Sequence, residues 1–351
     1  MDKQDIDFMH KELPKQFSKD EMHLRTQYTV DGKSVSEDVH NIITKNAANS
    51  ENRMRQEHFF PSARLAWKAC LHGLSPRRIL LPSYIGYTER EGSGVLDPVT
   101  EQDLVCSFYP VGQDLLASAD VIANCLAREP DIGVVLLIHY FGWPGGDVSA
   151  IRSVCDQVGV VLVEDCAHAF HWGQAEPNLG VIGDYAFFSI HKYLASGTGG
   201  LLRANNRHYP EAMLPREESI EHSVLTLLAR AELGAIAEKR RENLAQALEG
   251  IKAVEGLRPI RKDIPQTPQS LPCWVEGEGI REKLYFRLMD RKVPTTALYY
   301  QMHNLLKREK FPESFEVSDH IINFPIHQDM TAENISMMIR ETVIAMEQLR
   351  S

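Results

Sequence analysis

The 351-residue chain is 43% hydrophobic and 25% charged, with a formal net charge of −10. That is enough apolar residue for one large core and a smaller second one, and the length favours two domains over one. A net acidic chain lacks the basic face of a nucleic-acid binder, and its longest strongly apolar run, Ile132–Ile138, is far too short to cross a bilayer.

The N-terminus, MDKQDIDFMHKELPKQF, offers no hydrophobic stretch to serve as a secretory signal. The six cysteines are scattered, with no C-x-x-C pair. Both features suit a reduced, cytoplasmic protein whose cysteines act as small core residues. Residues 1–55 are polar and weakly periodic, and read as an arm that packs on the body or on a partner subunit.

From about residue 56 the pattern changes. Pro61-Ser62 precedes an apolar-periodic helix to roughly Leu71, followed by a short strand, Arg78–Pro82. A loop with Ser83 and Tyr84 leads to another strand, Leu104–Tyr109. Ile132–His139 is a near-continuous apolar run ending in a Gly/Pro loop, as a buried parallel strand should be. Asp147 can cap the next helix, in which Val148, Ile151, Val154, Cys155 and Val158 share a face. Gly159 introduces a second buried strand, Val160–Glu164, and Asp184–Ile190 looks like a third. Strand, helix and strand in this order require a crossover, hence a mainly parallel sheet flanked by helices.

After Leu202 the character shifts. Ile220, Val224, Leu227, Leu228 and Ala231 have helical spacing in a long segment reaching about Gly250. Residues 260–350 hold shorter strands, such as Leu271–Val275, and a final helix from near Thr331. That helix carries Ile335, Met338, Ile339, Met346 and Leu349 on one side. The expected organisation is an arm over 1–55, a large α/β domain over 56–250 and a small α+β domain over 251–351.

Two positions dominate the chemistry. Asp165 ends the apolar strand VVLVED, and Lys192 follows 27 residues later, just after DYAFFSI. Ligands of open α/β sheets sit at the carboxyl ends of strands, where both residues fall. A lysine amine can form an imine with an aldehyde cofactor. A carboxylate opposite a pyridine nitrogen keeps that nitrogen protonated, so that the ring withdraws electrons from a carbanion. Ser189, in Ser-Ile-His-Lys, could bond a cofactor phosphate. Ser62, Ala63 and Arg64 open a helix, where backbone N–H groups and the helix dipole favour an anion. Taken singly, each of these residues is better explained as a cap, an ion-pair partner or a solvated charge.

The combination is more specific. The segments HYFGWPGGDVSAIRSVCDQVGVVLVEDCAHAF (His139–Phe170) and GDYAFFSIHKYLASGTGGLL (Gly183–Leu202) resemble the DegT/DnrJ/EryC1/StrS family, pyridoxal 5′-phosphate (PLP) enzymes of fold type I and mostly sugar aminotransferases. LPSYIGYT (Leu81–Thr88) resembles the family's cofactor loop, and NFPIHQDMTAENI (Asn323–Ile335) its closing motif. The resemblance implies a PLP-dependent transferase fold with a seven-stranded-type sheet and a small C-terminal α+β domain. It makes Lys192 the Schiff-base lysine and Asp165 the partner of the pyridine nitrogen. His168 stands near the ring hydroxyl, and Ser189, Ser62, Ala63 and Arg64 stand at the phosphate. Gly86 occupies the place of the family's stacking aromatic, which leaves that role to Tyr87 or Tyr84. His327, Gln328 and His303 would face the substrate, as would Tyr84.

The family's activity implies an amino donor, with L-glutamate the expected one, and a keto-sugar acceptor, nucleotide-linked. It also implies a homodimer, with no nucleic acid and no membrane. The Arg203–Ile220 stretch lacks the Gly-Tyr-Asn-like segment by which typical members reach into the neighbouring subunit's site. Alternatives stay open: a PLP-binding regulatory or scaffold protein without turnover, or the family's dehydratase branch, in which histidine replaces the lysine and His191 adjoins Lys192. Cys166, His168 and His171 give a C-x-H-x-x-H spacing, but zinc needs a further ligand, and no metal is expected.

Overall fold

The computed structural model describes residues 56–170, 179–205 and 220–350. The expected N-terminal arm, His171 and most of the Arg203–Ile220 stretch lie outside these residues. Seven strands form the main sheet: β1 (Gln56–Phe60), β2 (Arg78–Pro82), β3 (Val105–Tyr109), β4 (Ile132–Ile138), β5 (Val161–Cys166), β6 (Tyr185–Ser189) and β7 (Gly200–Ala204). Their order is β1-β7-β6-β5-β4-β2-β3. The pairs β2/β3, β2/β4, β4/β5 and β5/β6 are parallel, and β7 runs antiparallel to both its neighbours. The strands of the centre are buried on both faces, which is why they read as continuous apolar runs rather than alternating ones.

Helices cover this sheet because their ends and faces are specified locally. Ser62 accepts the Leu65 N–H at 3.2 Å and starts the helix Ala63–Leu74, which buries Ala66, Trp67, Cys70 and Leu71. Trp67 stacks on Phe187 of β6 at 5.4 Å. The helix continues past Leu71 until Ser75, at φ 44°, ends it in the left-handed region. Asp147 caps the helix Val148–Val158 by accepting the Ala150 N–H at 3.0 Å, and Gly159 at φ 71° closes it. Val158 is an exception to the expected apolar face. It is 58% exposed, at the last residue of the helix.

A second sheet is antiparallel, in the order β10-β9-β8, from β8 (Leu257–Pro259), β9 (Ser270–Val275) and β10 (Ile321–Pro325). The helix Ile280–Asp290 packs against β10 and the helix Ala332–Arg350, which packs in turn on the helix Leu233–Ile251, itself against β8 and β9. The long helical segment expected from Ile220 to Gly250 is two helices, His222–Arg230 and Leu233–Ile251, parted at Ala231 (ψ 128°). The reason is phase. At about 100° per residue, the buried residues Ala237, Leu244, Ala247 and Ile251 fall roughly opposite the face carrying Val224 and Leu228. A single straight helix could not bury both stripes against one layer.

β2 leads to β3 on one side, while β4, its other neighbour, leads to β5 on the opposite side. This reversal opens a crevice beyond the carboxyl ends of the strands, the usual ligand position in such sheets.

Candidate active site

Asp165, near the end of β5, lies level with Ile138 of β4 and Phe187 of β6. Its carbonyl accepts the His139 N–H at 3.0 Å, and its side chain accepts the Ala167 N–H at 2.8 Å. Burial raises this carboxyl to about 6, against the pull of that hydrogen bond, of the Lys192 charge and of the nearby His139 ring. Lys192 sits in the turn after β6, which is closed by the Tyr193 N–H to the Ile190 carbonyl at 3.0 Å. Burial lowers its amine to about 8, while Asp165 and Glu91 pull it upward. The two residues are therefore within electrostatic reach of one another. A buried acid and a softened amine, each short of full compensation, are a donor set that a cationic ring nitrogen and an electrophilic carbon would complete. On that chemistry the site fits PLP.

His168 is buried, and burial together with Lys192 depresses its pKa well below the ordinary value. Its Nδ1 accepts the Phe141 N–H at 3.2 Å. The neutral imidazole must then carry its proton on Nε2, which makes it a donor toward the site. Phe141 stacks against the imidazole at 5.6 Å and 13°. Tyr140, Phe141 and Trp143, the aromatic cluster of the glycine turn, are all buried. The Tyr140 hydroxyl donates to the Tyr84 carbonyl at 2.7 Å and Trp143 Nε1 to the Asp263 carbonyl at 3.1 Å.

The residues expected at a phosphate converge from three segments. β1, the start of the helix Ala63–Leu74 and the start of β7 meet where Gly200 pairs with Phe60 and with Ser189. A Cβ at Gly200 would overlap the Ser62 carbonyl and lie 2.5 Å from the Ala63 nitrogen, so only glycine lets these backbones approach. The Gly199 N–H donates to the Pro61 carbonyl at 2.6 Å. The Ser62 hydroxyl is used as the helix cap, and the first-turn N–H groups of Ala63 and Arg64 have no intrahelical acceptor, as at any helix start. Ser189 is buried, its Oγ 3.2 Å from His191 Nδ1. The Arg64 guanidinium is held by Asp97 (3.3 Å) and the Glu91 carbonyl, on the loop after β2.

Both tyrosines of that loop are engaged with other partners. Tyr84 is buried, donates its hydroxyl to the Leu298 carbonyl at 3.0 Å and packs edge-on against Tyr140 and Tyr299. Tyr87 packs edge-on against His303. His303 Nδ1 accepts the Leu305 N–H at 3.3 Å. His327 is half exposed, 3.5 Å from Asp329, and its carbonyl accepts from Asn243 at 2.9 Å. Its neighbour Gln328 donates to the Tyr193 carbonyl at 3.0 Å, which brings the closing motif against the Lys192 turn.

Three features of this region escape a reading of the sequence. Arg240 is buried and donates to the carbonyl of Lys192 (3.1 Å), to Gln328 Oε1 (2.8 Å) and, at 3.4 Å, to the Pro268 carbonyl, with its guanidinium 4.1 Å over the Tyr193 ring. His139 and Glu164 form a buried pair at 2.8 Å. Burial alone would raise Glu164, but His139 and the N–H groups of Gly183 and Gly180 hold it below its usual range. Cys166 adjoins this pair, yet His139 Nδ1 already accepts the Gly145 N–H at 3.0 Å. Both imidazole nitrogens are thereby engaged. A polar pair inside two apolar runs, His139 ending one and Glu164 the other, was the available signal. The third feature is Tyr299, whose ring lies nearly parallel to His168 at 6.5 Å and 22°.

Residues 114–217 match the DegT/DnrJ/EryC1/StrS aminotransferase family. The chain is 29% identical over 108 residues to a GDP-perosamine synthase from Vibrio cholerae, covering 29% of each protein. It is 30% identical over 164 residues to an L-glutamine:2-deoxy-scyllo-inosose aminotransferase from Streptoalloteichus tenebrarius, covering 38% of each. The matches thus span well under half the length of these curated relatives. In three dimensions the chain resembles the aminotransferase TlmJ from Streptoalloteichus hindustanus, with a TM-score of 0.73 and 21% identity, over 90% of this chain and 92% of that one. The fold is therefore that of the PLP-type aminotransferases. Over residues 114–217 the chain is thus similar to the DegT/DnrJ/EryC1/StrS aminotransferase family, and its fold is that of solved aminotransferases.

Proposed function

We propose that the protein is a PLP-dependent aminotransferase that moves an amino group from L-glutamate to a keto sugar, carried on a nucleotide. The observation that carries this reading is the Lys192–Asp165 pair at the carboxyl edge of the sheet, with the amine lowered to about 8 and the acid raised to about 6. When bound, PLP supplies an aldehyde carbon for amines and a ring that withdraws electrons from the carbon being deprotonated.

This chain's residues divide the remaining work. Lys192 Nζ, about half free amine at pH 8, would hold the cofactor covalently and, when free, would take a proton from the donor's α carbon. Asp165 would hold its negative charge against the ring nitrogen of bound PLP. His168 Nε2–H would donate to an oxygen on the ring edge. The N–H groups of Ala63 and Arg64, with Ser189, would receive the phosphate at the helix start. His191, beside Lys192, is exposed and its Nδ1 meets Ser189, whereas Lys192 is the one within the field of Asp165. That placement favours transamination over dehydration.

The two subunits of a homodimer would share this chemistry on the family pattern. Among the described residues, no helix is long and apolar enough to cross a membrane. Protein loaded with PLP and then mixed with L-glutamate should lose its visible absorbance band and release 2-oxoglutarate stoichiometrically. An unchanged band with no 2-oxoglutarate would leave a cofactor-binding protein without turnover.

A further inference from the structure

One ring position in the site is filled from an unexpected direction. Gly86, in the loop after β2, has no side chain, and a Cβ built there would lie 2.8 Å from Tyr299 Cγ and 2.9 Å from its Cα. Real Cβ atoms do not approach so closely, so the tyrosine occupies the space that any side chain at Gly86 would need. Tyr299 comes from the 295–303 loop, more than 200 residues downstream.

That loop is fastened to deliver it. Gly86 and Met302 form a β-bridge, and the Tyr87 N–H donates to the Gln301 carbonyl at 2.9 Å. Thr296 pairs with Asn323 of β10, and the Ser318 hydroxyl donates to the Tyr299 carbonyl at 2.7 Å. Tyr299 itself has φ 61°, a left-handed conformation that is uncommon and strained for a bulky residue. Phe141 is left-handed too, at φ 56°. Both strained aromatics lie close to parallel with the His168 imidazole, Phe141 at 5.6 Å and Tyr299 at 6.5 Å. Strain stored at two residues that converge on one imidazole marks a position the fold is built to hold. The Tyr299 phenol also feels the charge of Asp165, so the ring lies within electrostatic reach of the acid.

We propose that Tyr299 is the aromatic wall of the cofactor pocket, supplying from the 295–303 loop the flat face against which a pyridine ring stacks where Gly86 leaves room. This role rests on the PLP reading above and adds to it the residue that grips the ring. Stacking of flat π systems depends on the aromatic face, so phenylalanine should serve and an aliphatic side chain of similar bulk should not.

Equilibrium dialysis with PLP at pH 8 tests this on wild type, Tyr299→Phe, Tyr299→Leu and Gly86→Ala. Borohydride reduction and mass spectrometry check that Lys192 still takes the cofactor, and a thermal melt without cofactor checks folding. The expected result is wild-type affinity for Tyr299→Phe and about tenfold or greater weakening for Tyr299→Leu. Gly86→Ala, which pushes the ring aside, should weaken binding in the same direction. If wild type takes no PLP, the PLP reading falls and this one with it. If wild type binds while Tyr299→Leu binds within twofold of it or more tightly, the aromatic wall alone is overturned. Should Tyr299→Leu fail to fold, the comparison of Gly86→Ala with Tyr299→Phe decides, and unchanged affinity in Gly86→Ala then overturns the proposal.

Discussion

Lys192 and Asp165 illustrate how burial sets reactivity. An exposed lysine is almost wholly protonated at neutral pH, because its amine titrates near 10.5. With the Lys192 amine lowered to about 8 by burial, the free-amine fraction rises through pH 8 instead. The rate at which cofactor-free protein takes up PLP should therefore increase with a midpoint near pH 8 and flatten above it; stopped-flow absorbance across pH 6–10 measures this. A rate still climbing steeply at pH 10 would mean an ordinary lysine.

The same burial bears on stability. Asp165 binds its proton more tightly in the folded chain than in the unfolded one, so its contribution favours the fold below about pH 4 and is lost as pH rises through about 6. Lys192 has the opposite sign: its contribution favours the fold above its unfolded value and is lost as pH falls through about 8. At neutral pH both charges burden the empty site, and PLP should raise the melting temperature more at pH 7 than its mass action at a neutral pocket would. Asp165→Asn removes the carboxylate charge while keeping its shape. A charge-assisted hydrogen bond is worth about 1.5–3 kcal/mol, so PLP should bind about ten- to hundredfold more weakly by spectral titration. These two residues stand out in the sequence because one lies near the end of an apolar strand and the other in the turn just after one. Tyr299 was not, because its partner Gly86 lies over 200 residues away and nothing local in Ala297-Leu298-Tyr299-Tyr300 marks it.

At the scale of elements, hydrophobic runs gave β4 and most of β5, since strands buried on both faces are largely apolar, while β5 runs on past the apolar run through Asp165 to Cys166. The helix Ala63–Leu74 was legible at its cap but ran on to Leu74 because Ser75, not a glycine or proline, ends it. The break at Ala231 is hidden in the sequence because helical spacing resumes after it, with only the phase of the apolar stripe changed. The contact between β7 and the helix start is the element-level feature with the sharpest consequence. Gly200→Ala would drive a Cβ into the Ser62 carbonyl. It should cost about 1–3 kcal/mol by urea denaturation and weaken phosphate binding as well, whereas Gly234→Ala, with nothing near its Cβ, should be neutral or slightly stabilising.

Across the whole molecule, the site depends on parts of the chain far apart in sequence. Arg240, on the helix Leu233–Ile251, joins the Lys192 turn to Gln328 in the closing motif and to Pro268 before β9. Sequence alone showed a charged residue in a long helix, which reads as a solvated face; only the packed structure turns it inward against carbonyls and the Tyr193 ring. Arg240→Ala should lose about 2–3 kcal/mol of stability and, by loosening the turn, slow PLP uptake without shifting its pH midpoint; urea unfolding and stopped-flow absorbance check the two effects. The overall α/β organisation was legible because alternating strands and helices admit few topologies, and the family motifs fall on the strand ends that those topologies bring together.

Lys192 as the cofactor's covalent anchor is open to direct chemical trapping: reduction of the PLP-loaded protein with borohydride, followed by proteolysis and mass spectrometry. A single stoichiometric pyridoxyl-phosphate adduct is expected on the peptide carrying Lys192, absent in Lys192→Ala. An adduct spread over surface lysines, or one that persists in Lys192→Ala, would contradict that assignment.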